Sequence, residues 1–226
     1  MIRFGACLLF ILTLGACAEV GNLSTPAQDR EAGPYLAVAR AWTRNASVYK
    51  GLDSELLVDA TFRSLPFRMA YAAEHARIYL LDREATEKLV KDQVAAHGTY
   101  LDFTVAAYVP RMEGGDFTGQ SPLWRAYLEN DKAIRAEPLE IRSLSQDKEV
   151  ARHFFPYLTP WKWAYTFRFP HADARAGQPL LDRDTRWLSL VITGPSGSAR
   201  MTWQRPETGW EPLLPQGGTP PEGLHR

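Results

Sequence analysis

The sequence has little cysteine: two residues in 226, Cys7 and Cys17, both near the start. Whatever folds beyond them has no disulfide to staple it and must be held by its own core. It also lacks an excess of either charge. Its 26 basic and 26 acidic residues cancel, which argues against sequence-independent nucleic-acid binding, since that needs a positive surplus to displace counterions. No apolar run reaches the roughly eighteen residues of a membrane-spanning helix. There is no internal repeat and no alternation of strands with helices of the βαβ kind. Glycine is absent from Pro66 to His97. The histidines, at 75, 97, 153, 171 and 225, show no metal-ligand spacing, and no cofactor is expected. Residues Glu113–Gly119, "EGGDFTG", lack the lysine and the following helix of a phosphate-cradling loop, and read as a mobile recognition loop.

What is present starts at the N-terminus. "MIRFGACLLFILTLGAC" has one basic residue, Arg3, then an apolar run to Leu14, then small residues. That is the layout of a secretory signal. The stretch Leu14-Gly15-Ala16-Cys17 resembles the lipobox of bacterial lipoprotein precursors. The small residues let a protease thread an extended backbone, and the cysteine thiol is the nucleophile that takes the lipid. The resemblance covers only these first seventeen residues. It implies cleavage before Cys17, a diacylglyceryl thioether on its sulfur, and membrane attachment through the acyl chains, whose methylenes each contribute about 0.8 kcal/mol. The residues after the cysteine are Ala18 and Glu19; the absence of an aspartate there implies, again by resemblance, the outer membrane, facing the periplasm. Lipidation would also remove the one thiol left in the mature chain.

Residues 17–34, rich in small and polar side chains, read as a lipidated N-terminus and tether. Residues 206–226 carry five prolines and four glycines and read as an extended tail, laid in part on the body. The sequons at Asn22 and Asn45 read as loops. Between tether and tail, residues 35–205 carry the pattern of strands. Leu56, Val58, Ala60 and Phe62 fall on one face with Asp59, Thr61 and Arg63 on the other; Leu101, Phe103, Val105, Ala107 and Val109 make another apolar face, opposite a mixed one. Residues 122–144 read as two strands around a tight Asn130-Asp131 turn. Leu188, Leu190 and Ile192, then Gly194–Gly197, then Ala199, Met201 and Trp203 make a hairpin. Residues 66–97 interrupt this with a helical pair: Pro66 suits a first turn, Asp82 an N-cap, Gly98 a stop, and Glu84–Lys88 and Glu87–Lys91 have favourable i,i+4 order. The expected fold is an antiparallel two-sheet β-sandwich, immunoglobulin-like or jelly-roll-like, with an inserted helical pair; the alternative is a lipocalin-like barrel.

Candidate chemistry is thin. "GPSGS", Gly194–Ser198, approaches a nucleophile elbow around Ser196, but its second glycine comes one position early and it sits between strands rather than before a helix. His171 and Asp173, or Asp182 and Asp184, could supply metal ligands, yet a site needs three or four that converge. Glu74, His75 and Asp82 read as exposed helical charges. The densest feature is "HFFPYLTPWKWAYTFRFP", residues 153–170. In its second half Trp161, Trp163, Tyr165, Phe167 and Phe169 alternate with Lys162, Ala164, Thr166 and Arg168, as a core strand does. In its first half Pro156 and Pro160 break the period, which makes Phe154, Phe155, Tyr157 and Trp161 the candidate partner-binding residues. The expectation is a membrane-anchored bacterial envelope lipoprotein acting as a non-catalytic binding or assembly module, its partner an envelope protein or polymer. An envelope-polymer hydrolase or a carrier of an apolar ligand are the alternatives.

Overall fold

Local rules place the elements. In the computed structural model residues 33–110, 117–118, 123–144 and 148–210 are described; Cys17, the expected signal and tether, most of the Glu113 loop and the chain beyond Trp210 lie outside the described residues. Pro34 opens a helix that sequence patterning did not show, α1 (Pro34–Ala41), with Tyr35 and Ala39 buried; proline fits a first turn, where its missing N–H costs nothing. Strands β1 (Thr43–Lys50) and β2 (Asp53–Phe62) form a hairpin around Gly51 and Leu52, and Gly51 takes a φ of 65° that only glycine adopts cheaply. Asn45 and Ser47 therefore lie in a strand and not in a loop. The helical pair is α2 (Leu65–Ile78) and α3 (Arg83–Thr99). The Ser64 hydroxyl accepts from the Phe67 amide at 3.4 Å and Asp82 from the Ala85 amide at 2.8 Å, so each helix has a side-chain cap. Within α3 the ion pairs that close are Arg83–Glu87 and Lys88–Asp92, not the expected Glu84–Lys88 and Glu87–Lys91, and α3 runs through Gly98.

Strand β3 (Leu101–Tyr108) follows, then β4 (Arg125–Asn130), β5 (Arg135–Ala136), β6 (Glu140–Ser143), a short helix α4 (Lys148–Phe154), β7 (Trp163–Phe169), β8 (Trp187–Gly194) and β9 (Gly197–Gln204). Among the described residues these nine strands make two antiparallel sheets, β1-β2-β3-β7-β6 and β5-β4-β8-β9. They face each other as a β-sandwich and do not close into a barrel. The Asn130 turn is not the expected kind. Asn130 is buried; its side-chain Nδ2 donates to the Leu180 carbonyl and its Oδ1 accepts from the Lys132 and Ile134 backbone amides, all at 3.0 Å. The positive φ falls on Ala133 instead. The expected second strand of that pair is split: β5 stays with β4, and beyond Pro138 the chain crosses to the other sheet, where β6 pairs with β7.

The inter-sheet core is aromatic. Phe62 stacks on Phe103 at 4.9 Å, and Trp203 from the opposite sheet meets Phe103 at 5.2 Å. The indole N–H of Trp203 is satisfied by the Trp42 carbonyl at 2.8 Å. Strand β7 delivers Tyr165, Phe167 and Phe169 to this core, but Trp163 is 42% exposed and Trp161, ahead of the strand, 79% exposed. The run of rings thus enters the core only after its first two members. The outer face of the five-stranded sheet is covered by α1, α2 and α4, whose rings form a second cluster: Tyr35, Phe67, Tyr71, His75 and Phe154, joined by Phe155 and Tyr157. At the end of the described chain Trp210 is buried, and its N–H donates to the Thr185 carbonyl at 2.7 Å. The tail beyond Arg205 therefore contributes one ring to the body.

Candidate functional site

Phe154 and Phe155 are corrected by their positions. Both are buried in the cluster under the helices. The backbone carbonyl of Phe154 accepts from the Tyr35 hydroxyl at 2.8 Å. The broken periodicity that made them look exposed belongs to a helix end followed by a turn, and neither ring stands at the surface. Tyr157 is half-buried and also engaged: its hydroxyl bonds that of Thr61 at 2.8 Å and donates to the Thr104 carbonyl at 3.0 Å. Burial pushes the phenols of Tyr157 and Tyr35 well above their ordinary value. Of the four candidates Trp161 alone remains a surface residue.

The other chemical candidates resolve into structural bonds. Ser196 donates to Glu55 at 3.1 Å, across from one sheet to the other; His225 lies outside the described residues. Asp173 accepts the amides of Arg175, Ala176 and Gln178, which stabilises its charge and lowers its pKa. Asp182 accepts the amides of Asp184 and Thr185, the Thr185 hydroxyl, and an ion pair from Lys132, and is held down to about 2, chiefly by Lys132. His171 bonds the His97 carbonyl at 2.9 Å. Among the described residues no three histidines, cysteines or carboxylates converge as a metal site. Glu74 pairs with Arg77 at 2.8 Å and with His153 at 3.1 Å; Arg77 first and His153 second hold its carboxyl near 2. His75 stacks on Phe154, while Asp82 caps α3, so these three groups share no cleft.

One constellation was missed in the sequence. Between the outer face of the five-stranded sheet and the helices lies a buried charge layer. Arg68 of α2, 1% exposed, donates to Asp102 of β3, 3% exposed, at 2.8 Å. Its other donors go to the Arg63 carbonyl at 2.9 Å and to Gln93 of α3 at 3.0 Å. Arg168 of β7 approaches Asp102 at 3.8 Å and pairs with Glu140 of β6 at 2.8 Å. Burial, then the nearby Arg63 cation, pulls the Arg68 guanidinium down to about 10, so it stays charged at neutral pH. The signal was available: Arg68 sits on the same helical stripe as buried Leu65 and Ala72, and Asp102 on the polar side of an alternating strand. Each Arg68 nitrogen has a partner, so this layer orients α2 and α3 on the sheet; Asp102 Oδ1 and Arg168 Nε, 3.8 Å apart, are buried there without a hydrogen bond.

A second feature had a quieter signal. Leu52, in "YKGLDS", is an apolar residue placed in a two-residue turn, and it is fully exposed.

Comparison with known proteins adds little. The chain matches no protein-family model and no curated protein. A similar solved structure is a novel protein of unknown function from Burkholderia pseudomallei K96243. Its identity to this chain is 13% and its TM-score 0.37, over 77% of this chain and 83% of that chain. So low a score transfers neither fold nor function.

Proposed function

We propose that this chain is a lipid-anchored bacterial envelope protein, cut before Cys17, acylated there, and carried in the outer membrane facing the periplasm, where its β-sandwich acts as a non-catalytic binding or assembly module. The observation that carries the reading is the Leu14-Gly15-Ala16-Cys17 stretch placed directly after an apolar run. Among the described residues no helix is long and apolar enough to cross a membrane, which is compatible with attachment through acyl chains. The non-catalytic half rests on occupancy: Asp102, Asp173, Asp182, Glu74 and Ser196 each serve a bond that holds the fold. A binding module is favoured over a carrier because, among the described residues, the sheets do not close into a barrel and rings from both pack between them.

Cells expressing the wild-type chain and Cys17→Ser, grown with labelled palmitate and fractionated, test the anchor. The wild type takes up label and sediments with membranes, while Cys17→Ser does neither. An unlabelled wild type would overturn the reading.

A further inference from the structure

Nine large apolar side chains are exposed among the described residues, and five of them, Tyr49, Leu52, Leu123, Trp161 and Trp163, fall at one end of the sandwich. Strand pairing fixes that end. It holds the β1–β2 hairpin tip, the finish of β3 and the start of β7 in one sheet. From the other sheet come the start of β4 and the β8–β9 turn. The Ser196–Glu55 bond ties the two sheets together here.

The exposed groups differ in height. Trp163 is level with Ala107 and Val58, and Trp161, two residues before it in the turn that opens β7, reaches at most about 7 Å past that level. Leu52 lies in the turn beyond the Lys50–Asp53 pair, six residues out from Val58, about 20 Å at strand rise. An aliphatic tip therefore leads, and the amphipathic rings of Trp161 and Tyr49 stand behind it. That is the order of a bilayer surface, where aliphatic groups go deepest and tryptophan and tyrosine settle at the headgroups.

We infer that this end of the domain docks on a lipid bilayer. The shape favours it over a protein or sugar. Leu52 stands fully exposed on a hairpin tip, whereas small ligands need concavity and protein hot spots lie in packed pockets. A lone exposed leucine is buried best by a fluid that closes around it. Charge does not demand an anionic lipid, because Asp53 accompanies Lys50 and Arg125 at this end.

The inference rests in part on the anchor reading. Gly33 is sixteen residues on from Cys17, and extended chain spans at most about 3.5 Å per residue. An acylated Cys17 would hold the domain within roughly 55 Å of the lipid, so a weak contact would be made effectively intramolecular.

The test separates the two readings by using no lipid anchor. Residues 17–226 carrying Cys17→Ser are mixed with vesicles of phosphatidylethanolamine and phosphatidylglycerol. The protein floats with the vesicles, and its tryptophan emission shifts to the blue. Leu52→Glu and Trp161→Ser each lower partitioning roughly tenfold, the cost of losing one buried apolar side chain, with melting unchanged. Leu139→Glu, an exposed leucine beside Arg168 at the opposite end, leaves partitioning as it was. Absence of flotation at millimolar lipid overturns the inference, as does flotation of both variants like the parent, or an equal loss in Leu139→Glu. Failure of the anchor reading shows separately, in the palmitate labelling.

Discussion

Asp102 and Arg68 show what a single buried pair does for this fold. Each is all but removed from water, so neither can lose its partner cheaply. Asp102→Ala should destabilise the protein by about 3–5 kcal/mol, because it strands a buried guanidinium. The double variant Arg68→Met with Asp102→Leu should recover most of that loss, since an apolar pair of similar volume needs no compensation. Denaturant unfolding of the parent, the single and the double variant decides it; a single variant within about 1 kcal/mol of the parent would mean the pair is solvated. At this scale the sequence was hard to read for a definite reason. An ion pair between a helix and a strand 34 positions apart leaves no local period. Only the charge on the buried stripe of α2 betrays it. Phe154 and Phe155 failed in the opposite way: they are loud in the sequence, but the short helix that buries them has too few turns to show amphipathicity.

Elements whose rules are local were legible. Alternation revealed β2, β3 and the β8–β9 hairpin, and a glycine-free run with Pro66 in a first turn and Asp82 as a cap revealed α2 and α3. Strand β1 was not visible, because Val48 is its one buried residue and the rest of it is polar, charged, small or exposed. The split of β5 from β6 was not visible either, since Pro138 marks a break in pairing without saying which sheet the chain joins next. The β8–β9 hairpin carries a steric condition of its own. A β-carbon on Gly194 would come within 2.7 Å of the Trp124 ring and 3.0 Å of the Leu123 carbonyl. Trp124 is fully buried and backbone cannot yield, so Gly194→Ala should cost about 1–3 kcal/mol. Thermal melts of that variant beside Gly33→Ala, where the space is open, check the claim; equal melting temperatures would contradict it.

Over the whole molecule, fold class followed from composition and pattern, and strand order did not. Antiparallel alternation without βαβ rhythm leaves a sandwich as the economical answer, but which strands neighbour which is decided by long-range packing such as Phe103 against Trp203. Both cysteines lie in the first seventeen residues. The compact body that runs from Gly33 therefore contains no thiol. Its melting temperature should be the same with and without reductant, and a shift on adding dithiothreitol would show that cysteine chemistry reaches the fold after all.

The position of Tyr35 has a mechanical consequence. Its ring lies between Phe67 and Phe154, and its hydroxyl is fastened to the Phe154 carbonyl. A pull entering the body at Gly33 meets this ring before it reaches β1. β1 is an edge strand, and its ladder, loaded from one end, would open bond by bond. The ring acts as a cleat: it turns a peeling load on one strand into a shared load on the helical roof and the sheet beneath it.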